Sequence, residues 1–217
     1  MDFAKMRRIM VDSQIRPNDV TDPEIVSAFL HTPREAFVPK SEQSIAYAEY
    51  EIETSEGRAL WTPRDIGKMI KSLEPEPSDI ALVIGAGAGY ETAILSRLCE
   101  TVIALEDSEE LVDELTARFG TLGLDRAVAV QGDLREGLAD QAPFDIILVC
   151  GLIEEAPETW FTQLAEGGRL GAAVPHGRDL GRARVWTKAG ETVSYREVFD
   201  CCPPRLPGFE KPKSFVF

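Results

Sequence analysis

The spacing of apolar residues changes character twice along the chain. Over residues 3–15, Phe3, Met6, Ile9 and Met10 recur at helical spacing, with Asp2 placed to cap the first turn. A second helix is expected from Thr21, which stands three residues before Glu24 as in a capping box, with Pro23 in the first turn. Breaks follow at Pro33 and Pro39, and Ser41 is expected to open a short helix through Tyr47. Residues 50–61, YEIETSEGRALW, commit to no period. Thr62 and Pro63 restart a helix whose Ile66, Met69, Ile70 and Leu73 form a buried stripe. The stretch EPEPSD ends it as a loop.

From residue 80 the pattern becomes strand alternating with helix. IALVI (80–84) is a continuous apolar run, as a central parallel strand requires. A helix through Leu98 is expected next, then a strand TVIAL (101–105), a helix over 109–122 and a strand AVAV (127–130). FDIILV (144–149), a helix near 157–165 and RLGAAV complete the alternation. Such alternation builds right-handed crossovers and a doubly wound, mostly parallel sheet. RARVWTKAGETVSYREVFDC then predicts an antiparallel hairpin turning around Lys188–Gly190 at the sheet edge. The tail holds four prolines between Pro203 and Pro212 and finishes on Phe215, Val216 and Phe217. The expected organisation is a helical layer with a loop region over residues 1–74, and a Rossmann-like domain over 75–217, together one unit.

Composition narrows the function classes. Hydrophobic residues are 44% and charged residues 28%, the balance of a globular protein. No apolar run approaches the roughly 20 residues of a membrane span, and the N-terminus lacks the apolar core of a signal peptide, so a cytoplasmic protein is expected. A net charge of −14 argues against nucleic-acid binding. Cys99, Cys150, Cys201 and Cys202 form no C-x-x-C pair and read as thiols of a reducing compartment. Two histidines, His31 and His176, leave little for a metal site or a Ser/His or Cys/His nucleophile.

The chemistry concentrates in VIGAGAGYETA (83–93). Gly85, Gly87 and Gly89, with Ala86 between the first two, make a strand-to-helix turn where a ligand can approach bare backbone and a helix N-terminus. A dinucleotide fingerprint wants a sixth-place glycine where this chain has Tyr90, which disfavours a dehydrogenase and suits a nucleoside without pyrophosphate. The bland alternative is a turn that only packs tightly; its place after a buried strand weighs against that. Glu106 closes the second strand 21 residues after Gly85, near the spacing of about 20 for an acid that grips a ribose. Glu106 and Asp107 could instead start a helix. Asp133 of QGDL ends the third strand, where it could accept from an adenine amine while the Leu134 N–H donates to the ring; a plain loop aspartate is an equal alternative. Together these positions point to S-adenosylmethionine.

The residues MVDSQIRPNDVTDPEIVSAF, PREAFVP and AYAE, then the glycine turn with Tyr90, Glu106 and GDLREGLADQAPFDIILV, resemble the protein-L-isoaspartate O-methyltransferase family. The resemblance runs from about residue 7 to about residue 175 and makes the chain a divergent bacterial member. It implies the class I methyltransferase fold, S-adenosylmethionine as cofactor and a protein or peptide acceptor. The family carries Thr-Ile-Ser just before a proline; aligned on Gly57 and Pro63, its Thr falls on Ala59 and its Ser on Trp61. Val83 stands where the family has an acid on the first strand. These departures imply an altered acceptor pocket, for which Arg58, Trp61 and Thr62 are the candidates: Arg58 for a carboxylate, Trp61 for a planar group or as a plug, Thr62 as a polar contact or a helix cap. A methyltransferase for another protein or small-molecule acceptor, or a cofactor-binding protein without turnover, are the alternatives. No catalytic residue is assigned, and the oligomeric state stays open.

Overall fold

The structure, a computed structural model, describes residues 1–55, 57–177 and 180–210. Helix α1 (Phe3–Met10) is capped by Asp2, whose side chain accepts from Lys5 N, and runs on into a π turn over Val11–Ile15. Helix α2 spans Pro23–His31, and its N-cap is Asp22 rather than Thr21. The proline explains the correction: a residue before Pro is driven to extended backbone, which is the N-cap conformation, and Asp22 has ψ 124°. No side-chain capping bond forms there. The helix expected over 41–47 shrinks to a single 3-10 turn, Gln43–Ile45.

The uncommitted stretch at 50–61 is a small antiparallel hairpin, β1 (Ile52–Ser55) and β2 (Arg58–Leu60). Helix α3 (Pro63–Leu73) follows, with Thr62 Oγ1 accepting from Asp65 N at 3.2 Å. Its Ile66, Met69, Ile70 and Leu73 are all buried, as the spacing predicts.

The main sheet then forms from β3 (Ile80–Ile84), β4 (Thr101–Glu106), β5 (Ala127–Gln131), β6 (Phe144–Leu152), β7 (Leu164–His176), β8 (Leu180–Ala189) and β9 (Thr192–Cys201). Their order is β5-β4-β3-β6-β7-β8-β9, parallel up to β7 and antiparallel through β8 and β9. Helices α4 (Tyr90–Leu95), α5 (Glu109–Leu122) and α6 (Glu158–Thr162) cross over between strands. Helix α4 is shorter than expected, ending at Leu95 rather than Leu98.

The strand β3 shows why its run is apolar throughout. Ala81 and Val83 enter one core with the N-terminal helices, α4 and α5, while Leu82 and Ile84 enter the other with Trp160, Leu206 and Phe209. The first core joins residues on both sides of position 74, so the helical layer and the sheet share one interior. The tail Phe215–Phe217 lies outside the described residues. Among the described residues no helix is long and apolar enough to cross a membrane.

Candidate functional site

The carboxyl ends of β3, β4 and β5 bring together the glycines and acids singled out in the sequence. After β3 the chain turns through Gly85 (φ +67°) and Gly87 (φ +55°), a left-handed backbone that favours glycine. Gly89 (φ +86°) shares that backbone and has a second reason: a Cβ there would sit 2.6 Å from Leu115 and 2.8 Å from Phe119, so its bareness lets α5 pack on α4.

Glu106, the last residue of β4, is fully buried. Its Oε1 accepts from the Gly87 N–H at 2.6 Å, which ties the second strand to the turn of the first. The remaining capacity is taken by the Asp107 N–H, which donates to Oε2 at 3.3 Å, and by Arg58. The guanidinium donates from Nε to Oε1 at 2.9 Å and from Nη2 to Oε2 at 2.8 Å, a two-pronged fit, and Nη2 also reaches Asp107 Oδ1 at 3.0 Å. Arg58 is only 5% exposed. Burial works against its charge, but the hydrogen bonds and charge of Glu106, with the charge of Asp107, raise its pKa above the usual value.

The turn is therefore not bare. A Cβ on Gly87 would lie 3.2 Å from Arg58 Cβ, and one on Gly85 would lie 2.7 Å from Leu206 Cδ1. Leu206 belongs to a strap formed by the proline-rich segment. Leu152 N donates to Pro204 O at 3.0 Å, Leu206 N donates back to Leu152 O at 3.0 Å, and Glu154 N donates to Phe209 O at 3.1 Å. These bonds lay residues 204–209 across the ends of β3 and β6. The approach to the backbone read from the sequence is covered by two side chains from elsewhere in the chain, and nothing local to VIGAGAGYETA signals them.

Beyond the turn a cavity of about 540 Å³ is lined by Asp107, Asp133 and Leu134 on one side and by Pro207 and Phe209 of the strap on the other. Asp133 is exposed, with Oδ1 accepting from Arg135 N at 2.8 Å, and Leu134 is buried. A larger cleft of about 930 Å³ opens over the β1–β2 hairpin, where Glu42, Glu51, Glu53, Arg58, Ala59 and Pro204 are among its walls. Trp61 does not line it. That ring is 1% exposed within the first core, its Nε1 without a partner, so it acts as an apolar plug. Thr62 is the cap of α3. Of the three acceptor candidates, only Arg58 stands between cleft and turn.

Sequence reasoning missed a second buried cluster beneath the turn. Arg34 is fully buried, donates to Ala46 O at 2.8 Å and Trp61 O at 2.7 Å, and lies over the Tyr90 ring at 4.8 Å. Glu91, beside Tyr90 at the start of α4, is 1% exposed. Burial pushes its carboxyl up to about 7 and the Tyr90 hydroxyl up to about 12. Cys150, at the end of β6, is buried too, and burial together with Glu91 and Glu106 holds its thiol well above the ordinary range, which makes it inert. Among the described residues no group of His, Cys, Asp or Glu could hold a metal ion.

Comparison with known proteins places this arrangement. The model of the family protein-L-isoaspartate(D-aspartate) O-methyltransferase matches residues 5–201. A protein-L-isoaspartate O-methyltransferase of Roseiflexus castenholzii is 40% identical over 200 residues, covering 92% of this chain and 91% of its own. One of Koribacter versatilis is 36% identical over 92% of this chain and 89% of its own. A solved protein-L-isoaspartate O-methyltransferase superposes with a TM-score of 0.80 at 26% identity, over 94% of this chain and 65% of that one. A Plasmodium falciparum β-aspartate methyltransferase, solved with S-adenosyl-L-homocysteine, gives 0.77 at 18% identity over 95% and 98%. The sheet is thus that of a class I methyltransferase, and this chain belongs to the protein-L-isoaspartate(D-aspartate) O-methyltransferase family.

Proposed function

We propose that this chain transfers a methyl group from S-adenosylmethionine to a carboxylate-bearing protein or peptide acceptor, of the isoaspartyl type its relatives are named for. The observation that carries the reading is Glu106: a wholly buried carboxylate, aimed at the Gly87 N–H, with both oxygens engaged by two parallel N–H donors. A ribose offers two hydroxyl donors in much the same arrangement. The residues fit the cofactor once Arg58 yields that seat and the strap yields the face of Gly85. Asp133 and Leu134 would then meet the adenine, within the cavity they already line.

The cofactor supplies an electrophilic methyl on a sulfonium. The chain's part is alignment, because an ionised carboxylate needs no general base, and orientation alone can contribute several kcal/mol. The acceptor pocket is altered. Ala59 and Trp61 bring no hydroxyl to the family's Thr and Ser positions, and Trp61 is folded into the core. That leaves Arg58 as the one cation among the described residues of the cleft wall. The reading carries with it a cytoplasmic setting, supported by the buried thiols of Cys99, Cys150 and Cys201.

A second reading, a cofactor-binding relative without turnover, is favoured by Arg58 and Leu206 covering the turn. Two experiments in sequence test the cofactor seat and separate the readings. Titrating S-adenosylhomocysteine by calorimetry into the wild type and Glu106→Ala should show binding that weakens at least about tenfold in the variant, and equal affinities would sink the cofactor assignment. Turnover of labelled S-adenosylmethionine with an isoaspartyl peptide then distinguishes enzyme from binder.

A further inference from the structure

Arg58 stands where two sites meet. Its stem lies against Gly87, with Cβ 3.2 Å from the position a Gly87 Cβ would take, and its head fills both oxygens of Glu106. The same residue lines the 930 Å³ cleft, where the charged groups beside it are Glu42, Glu51 and Glu53. With Arg58 turned to Glu106, the described residues of that cleft present three carboxylates, and the one cation among them is engaged elsewhere. A carboxylate acceptor entering it then meets the repulsion of those three groups with no free cation among the described lining residues to offset it. A diol on Glu106 and the guanidinium of Arg58 cannot share the same two oxygens, so a nucleoside that takes this seat must free the guanidinium. The released head has open space in the cleft its own strand already lines.

Resting on the function proposed above, we propose that Arg58 serves two seats in turn: it holds the ribose seat closed in the empty protein, and once the cofactor displaces it, it binds the acceptor's carboxylate. Cofactor binding thereby switches the cleft from anion-rejecting to anion-binding, and the substrates add in a fixed order, cofactor first. The closed state also taxes cofactor affinity, since apparent affinity falls by the fraction of molecules whose seat is open. An arginine suits the double role because its planar head matches a carboxylate at either place.

Calorimetry and steady-state kinetics on wild type and Arg58→Gln test this. In the variant, S-adenosylhomocysteine should bind about tenfold or more tightly, because the competitor is gone. With saturating S-adenosylmethionine, the KM for an isoaspartyl peptide should rise about tenfold or more while kcat changes little. In the wild type the peptide should give binding heat only after S-adenosylhomocysteine has been added. Unchanged or weaker cofactor affinity in Arg58→Gln, with the thermal transition retained, overturns the proposal. Should that variant not fold, the wild type labelled with ¹⁵N-arginine answers the question. The Arg58 Nε–H resonance should be protected in the empty protein and lose that protection on adding S-adenosylhomocysteine. Binding with this resonance unmoved sinks the coupling alone, whereas a wild type that binds no S-adenosylhomocysteine overturns the proposed function and this inference with it.

Discussion

Arg34 and Arg58 are 0% and 5% exposed, yet their surroundings answer the burial of a charge in opposite ways. Arg58 meets carboxylates head-on, with two oxygens of Glu106 and one of Asp107 within 3.0 Å. Arg34 has a carboxyl in its neighbourhood and does not bond to it: Glu91 Oε1 and Arg34 Nη1 both lack a partner, and Arg34 is held instead by the carbonyls of Ala46 and Trp61 and the face of Tyr90. Backbone carbonyls cannot be exchanged for a ligand, so Arg34 permanently ties Ala46 and Trp61 of the N-terminal layer together, with the Tyr90 ring of α4 packed on its guanidinium. A carboxylate pair can be exchanged. The comparison teaches that burial alone does not mark an arginine as structural; what matters is whether its acceptors have another use.

The contrast can be broken first at Arg34. Arg34→Met should destabilise the fold by about 3–5 kcal/mol, since two buried carbonyls lose charged donors, and chemical denaturation would read it. A loss under about 1 kcal/mol would make Arg34 no more fixed than Arg58. Glu91 sharpens the same point through pH. Its carboxyl stays protonated in the native state up to about 7, against 4.5 ordinarily, so the native protein holds a proton there that the unfolded chain releases. The stability this group contributes is complete below about 4.5 and is lost as pH rises through 7. Glu91→Gln should therefore flatten the fall in melting temperature between pH 5 and 8, and be the more stable protein at pH 8 by on the order of 3 kcal/mol. A parallel pH profile in the two proteins would mean that Glu91 is ionised beside Arg34 after all. Smallest, Thr62→Ala should cost about 1 kcal/mol by removing the cap of α3, with no change in S-adenosylhomocysteine affinity. A change in affinity would show that the residue after Trp61 is coupled to the seat of Arg58.

What could be read from the chain itself follows from how local each feature is. The run IALVI, the glycines behind it and Glu106 are legible because the rule that places them spans one strand–turn–helix unit. Thr62–Pro63 announces α3 for the same reason. The hairpin β1–β2 was illegible: with four and three residues, alternation has too little length to show. The pair Arg58–Glu106 joins residues 48 apart, on elements whose adjacency no periodicity encodes. Arg34 sat in plain view within PREAFVP, but its role depends on carbonyls, which leave no mark in a sequence. The strap was unreadable likewise, because its hold on Leu152 is made by backbone groups.

That strap has a practical side. An affinity handle fused close behind Glu210 is joined to the segment whose Leu206 rests on Gly85 and Gly151, so its drag is felt where a nucleoside would enter. A handle placed ahead of Met1, whose side is 78% exposed, pulls instead on the open start of α1. Ligand titrations run on the two fusions need not agree.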